Sequence, residues 1–212
     1  MDKQTEHLET LTEIRSLMER SSRFISLSGL TGVFAGIFAI LGAVVAYIYL
    51  DHFFGTPGYS EFAQPKYEIS DLYFYIFFFA DASTVLVLSL SAGVFFSVRK
   101  ARKQGSSLWD PAAKRMILNL MIPLATGGLF CLILLYHGLI GLVAPATLIF
   151  YGLALLNAGK YTLNDIRYLG VCEIILGLLS SVYLGYGLIF WAFGFGVLHI
   201  IYGIIMYNKY DK

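Results

Sequence analysis

Charged residues in this chain fall in short islands, and between the islands lie apolar runs of about twenty residues, the length that crosses a bilayer as a helix. In hydrocarbon a backbone amide has no water to bond. A run of this length therefore has to satisfy its own amides, and a helix does so within one segment. The composition agrees: of 212 residues 58% are hydrophobic and only 14% are charged. Soluble domains carry about 25% charged residues. The mean hydropathy of +0.70 points the same way.

The expected fold is all-α, a six-helix transmembrane bundle of three antiparallel helical hairpins with a cytoplasmic amphipathic helix before it. Residues 1–23 hold that helix: Leu8, Leu11, Ile14 and Met18 recur at helical spacing. Its acidic and basic residues nearly cancel, which suits packing on protein better than lying on anionic lipid. The membrane domain covers 24–207, with spans at about 24–50, 71–98, 116–136, 140–158, 166–184 and 188–207, and a cytoplasmic tail at 208–212. Asp110 before Pro111 reads as an N-cap and first helical residue, because proline there loses no needed N–H. Turns are expected at His137-Gly138-Leu139 and at Gly185-Tyr186-Gly187.

Orientation follows from the basic residues. With both termini inside, fourteen of the fifteen lysines and arginines fall on the cytoplasmic side and only Lys66 lies outside. The expected location is a plasma membrane, crossed several times, with both termini in the cytoplasm. The lipid bilayer is the first partner. A second copy of the chain is another candidate, and a cytoplasmic protein could dock on residues 2–23 or on the basic stretch 99–115. A net charge of +1, with no basic stripe, argues against nucleic acid.

An ionisable side chain inside a span costs free energy and needs a reason. Three candidates stand out: Glu173, His199 and Asp81. Glu173 shares its helix face with Gly170, Gly177 and Ser180, and His199 shares its own with Gly196 and Gly203. Small-residue faces are where membrane helices come closest. Each of the two lies 13 residues from the turn at Tyr186, so at equal depth they should meet. Such a pair is a proton relay, the polar end of a solute cavity, or a hydrogen-bonded clamp. The same arithmetic pairs Asn119 with Asn157, each 19 residues from Gly138, as a clamp. Asp81 reads as lying near the outer interface, in a small polar patch. Gly32 and Gly36 mark a close-packing face on the first span, and Gly177, Gly196 and Gly203 serve the last two.

Pro123 and Pro145 are expected to interrupt spans 3 and 4. Tyrosines and tryptophans near helix ends read as interfacial anchors. Cys131 and Cys172 fall on different spans without a Cys/His cluster, so neither a disulfide framework nor a zinc site is expected. His52 and His137 share the outer side without diagnostic spacing, so no metal and no cofactor are assigned. The residues WAFGFGVLHIIYG, with GYGLIF before them, and EIRSLMERSSRFISLSGLTG near the start resemble an uncharacterised family of small bacterial six-span integral membrane proteins. The resemblance covers most of the chain, implies an inner-membrane location and brings no activity.

The leading expectation is a small transporter or channel-like protein with a polar centre at Glu173 and His199. The first alternative is a structural or regulatory membrane protein that docks partners through its cytoplasmic face. The second is an intramembrane enzyme, disfavoured because the polar groups are too few to supply nucleophile, base and oxyanion donors together. No catalytic residue is assigned.

Overall fold

The computed structural model describes Phe24, residues 27–54, residues 72–103, Gly105 and residues 109–212. The amphipathic segment expected over 1–23 lies outside the described residues, as does the 55–71 loop with Lys66. Among the described residues every regular element is helical: α1 (Gly29–Phe54), α2 (Leu72–Lys103), α3 (Pro111–Tyr136), α4 (Val143–Ala158), α5 (Asp165–Val182) and α6 (Gly187–Tyr210). Five of the six are long and apolar enough to cross a membrane; for α4 this includes the 3₁₀ turn Ile140–Leu142 leading into it. The other, α5, carries Asp165, Arg167 and Glu173 within 18 residues.

Local chemistry explains the ends. Asp110 caps α3 by accepting from the Ala113 N–H at 2.6 Å, and Pro111 fills the first helical position. The same helix closes at Gly138, whose φ of +70° costs glycine little. There the Gly138 and Leu139 amides bond back to the Leu135 and Leu134 carbonyls, a Schellman ending. Pro145 does not interrupt a span as expected. It sits in the first turn of α4, where helix N–H groups have no intrahelical partner to lose. Pro123 does lie inside α3.

The first helix begins at Gly29, five residues later than the expected start of its span at Phe24. Asp211, beyond the end of α6, accounts for this. Its carboxylate accepts from Ser28 Oγ at 2.7 Å and from the Gly29 N–H at 2.9 Å, and pairs with Lys100 of α2 at 2.6 Å. An anion at a helix N-terminus also meets the positive end of the dipole. Nearby, the Phe24 amide bonds to the Tyr161 carbonyl, and the Thr162 hydroxyl donates to the Phe24 carbonyl, both at 2.7 Å. Phe24 itself packs on Ala112 and Ala113 at the start of α3. The starts of α1, α3 and α5 and the ends of α2 and α6 thus gather at one end of the bundle.

Glycine decides which helices come closest. At the α1–α6 crossing a Cβ on Gly36 would stand 2.5 Å from the Gly196 carbonyl, and Gly32 lies against Gly203. At the α4–α5 crossing Gly152 and Gly170 each face the other's carbonyl, and Gly177 lies against Ile149 and the Pro145 carbonyl. Consequently α5 packs mainly on α4, and α6 mainly on α1, more than on each other. Helices α2 and α3 are peripheral. The former leans on α1 through Tyr49 stacked on Phe77, with ring centroids 3.7 Å apart, and through Phe34 on Phe96.

Candidate functional site

The site is where α4, α5 and α6 meet. Glu173 on α5 is wholly buried and His199 on α6 is 6% exposed. The structure brings them together, with His199 Nδ1 3.4 Å from Glu173 Oε1. His199 is anchored on two further sides. Its Nδ1 lies 3.0 Å from the Gly194 carbonyl, and its Nε2 lies 2.8 Å from the Tyr151 hydroxyl on α4. A carbonyl can only accept, so Nδ1 carries a proton. In the neutral ring Nε2 takes the tyrosine O–H. In the protonated ring it donates to the tyrosine oxygen instead. The imidazole can therefore gain or lose a proton at Nε2 without changing partners.

The turn of α6 before His199 is not α-helical. Residues Ala192–Leu198 form a π-helical stretch. Such stretches are rare and occur frequently at functional sites. This one carries Gly194, whose absent side chain is what makes room for the carboxylate. A Cβ there would stand 2.5 Å from Glu173 Oε2 and 2.7 Å from Leu148. Phe195, on the same stretch, lies nearly parallel to the imidazole and also contacts Tyr151, and Trp191 backs Phe195. These rings and the fully buried Leu148 line the pair with apolar surface.

Glu173 is less well provided. Among the described residues neither of its carboxyl oxygens has a hydrogen-bond partner, and the Ser180 hydroxyl on the same face of α5, also wholly buried, has none either. Buried polar groups are nearly always paired, so each exception asks for an explanation.

Comparison with protein-family models, with curated proteins and with solved structures finds no match to this chain. The reading of the site therefore rests on its geometry.

The remaining candidates lie elsewhere. Asp81 sits on α2 against Gly42, on a different face of α1 from the one that meets α6, and does not join the pair. The expected Asn119–Asn157 clamp does not form. Asn119 donates to the Arg115 carbonyl on its own helix, and Asn157 accepts from Lys160. Depth is not the error, because Gly127 on α3 lies against Phe150 on α4, 11 and 12 residues from Gly138, so the two helices keep register about that turn. Asn119 is eight residues from Gly127, about 80° round the helix from that contact, and so stands off the line where α3 meets α4. Tyr151 and Gly194 were not singled out from sequence. A tyrosine in the middle of a span, where no interface needs an anchor, is the signal that marks Tyr151.

Proposed function

We propose that this chain is a six-span membrane protein, built as three helical hairpins, that passes protons or a proton-coupled solute through a centre formed by Glu173, His199 and Tyr151. The proposed setting is a bacterial inner membrane with the basic end of the bundle in the cytoplasm. One observation carries the reading. A completely buried carboxyl group, with no hydrogen-bond donor on either oxygen among the described residues, faces an imidazole that keeps its partners in both protonation states. A proton can then enter or leave the ring at Nε2, on the Tyr151 side, without side chains rearranging, and the charge it brings stands beside the Glu173 carboxyl at Nδ1. A group with only a structural role gains most when its hydrogen bonds are complete, and a buried one left unpaired costs about 1–3 kcal/mol. The π-helical turn supports the reading, because it presents Gly194 to the carboxylate and loosens the regular backbone at that level.

A second reading has its own observation. The imidazole is fully partnered within the chain, which suits a clamp tying α4 to α6. In that case the protein is structural or regulatory. The intramembrane-enzyme alternative gains no further polar group here, since Asp81 lies against Gly42 and not beside the pair.

Water access separates the two. The variant His199→Cys, in a chain with Cys131 and Cys172 replaced by alanine, is treated with a small membrane-impermeant thiol reagent from each side. Labelling of folded protein from one side supports passage and identifies the side on which the path opens. Folded protein that resists labelling from both sides overturns passage and leaves the clamp.

A further inference from the structure

One groove on the described residues lies on α2, away from Glu173. It measures about 770 Å³ and lies along the last turns of α2, with no other described helix contributing to its lining. Two helical rows build it. Leu90, Val94 and Val98 lead to Arg102, and Phe95 leads to Arg99, each residue three or four positions from the next. The apolar part is open: Leu90, Val94 and Phe95 are 60–64% exposed. The arginines at its end are exposed too, and among the described residues neither has an acidic partner. Lys100 between them differs, since it is held by Asp211 and the Leu27 carbonyl and points to α1.

We propose that this face of α2 seats one anionic phospholipid from the leaflet on the basic side, with its phosphate on Arg99 and Arg102 and an acyl chain along Leu90, Val94, Phe95 and Val98. The dimensions fit. From position 90 to position 98 the helix rises about 12 Å, against about 15 Å for one leaflet of the hydrocarbon core. Two arginines three residues apart present their forks about 5–6 Å from each other at the Cβ atoms, close enough to grip one phosphate. Arginine suits this better than lysine because its planar fork bonds two oxygens at once. Basic sites on the cytoplasmic side of membrane helices take anionic headgroups by this chemistry. Charge decides against a zwitterionic lipid, whose headgroup brings its own cation to an already basic site. The proposal rests on the membrane-spanning reading.

The test uses the full chain in neutral detergent, with phosphatidylglycerol or phosphatidylcholine added in equal amounts. A ligand that binds the folded state alone raises the unfolding midpoint. Phosphatidylglycerol is expected to raise the midpoint of the wild type, and phosphatidylcholine to leave it in place. The shift is expected to vanish in R99Q/R102Q. It should also vanish in Val94→Trp, which fills the groove and keeps both arginines. An equal shift in R99Q/R102Q, or an equal shift with both lipids, overturns the proposal. A shift retained by Val94→Trp overturns the seat and leaves only surface attraction. If carbonate washing strips the chain from membranes, the spanning reading itself fails, an outcome distinct from loss of lipid selectivity.

Discussion

Replacing Gly203 by alanine should separate α1 from α6. A Cβ at that position would stand 2.5 Å from the Val33 amide nitrogen, 2.8 Å from the Gly29 oxygen and 2.9 Å from the Gly32 carbonyl carbon. All three are backbone atoms, so no side chain can swing aside. Ordinary carbon contacts lie at about 3.5–4.0 Å, and the helices must part by roughly 1 Å to restore them. A gap of that size forfeits about a quarter to a half of each dispersion contact nearby, at Gly32, Gly36 and Gly196 included. Overpacking of this kind costs about 1–3 kcal/mol, against which alanine regains about 1 kcal/mol of helix propensity. The expected net loss is up to about 2 kcal/mol. Gly128→Ala is the matched control, because a Cβ there meets nothing within 4 Å, and it should gain up to about 1 kcal/mol. Equilibrium unfolding in mixed micelles, followed by circular dichroism, reads both. The reasoning is refuted if Gly203→Ala unfolds at or beyond the wild-type midpoint, or if the two variants shift alike.

Two further predictions concern the basic end. Asp110→Ala removes the acceptor that caps α3 and should cost about 0.5–2 kcal/mol in the same unfolding assay, with Asp110→Asn recovering most of it; equal losses in both would show that the cap bond is not what matters. Burial pushes the Asp165 carboxyl up, but the Tyr210 hydroxyl at 2.6 Å and the Lys209 ammonium at 3.1 Å outweigh it and hold the group below the usual carboxylate range. Its contribution is therefore complete above the ordinary carboxylate value and is lost as pH falls through the lowered one. An unfolding midpoint followed down through acid should fall less in Asp165→Asn than in the wild type, and identical pH profiles would remove Asp165 from the account.

Much of the helical plan was legible because it follows from run length and from strong local signals such as Asp110-Pro111 and Gly138. The approach of Glu173 to His199 was legible for a related reason. Both lie the same distance from one turn, and both share faces with glycines. The same arithmetic failed for Asn119 and Asn157, since equal depth does not fix the face: Asn119 lies about 80° round α3 from Gly127, which meets α4. The π-helical stretch leaves no periodic trace among uniformly apolar residues, so the position of Gly194 beneath the carboxylate could not be read. The partnership of α6 with α1 was equally hidden, because neighbours in sequence usually pack as neighbours in space and only the approaches of Gly36 to Gly196 and Gly32 to Gly203 argue otherwise. Lys100 and Asp211 belong to regions whose polarity reads simply as solvated.

That Asp211 contact also orders events in time. Ser28 and the residue that caps it are 183 positions apart. At a synthesis rate of about 5–20 residues per second, the start of α1 waits roughly 10–40 seconds for its cap. Until then the first of the described helices is the last to be finished, and Lys100 lacks the Asp211 carboxylate. The clasp thus acts as a completion check, closing only on a chain in which every later helix has already returned Asp211 to the end from which the first one set out.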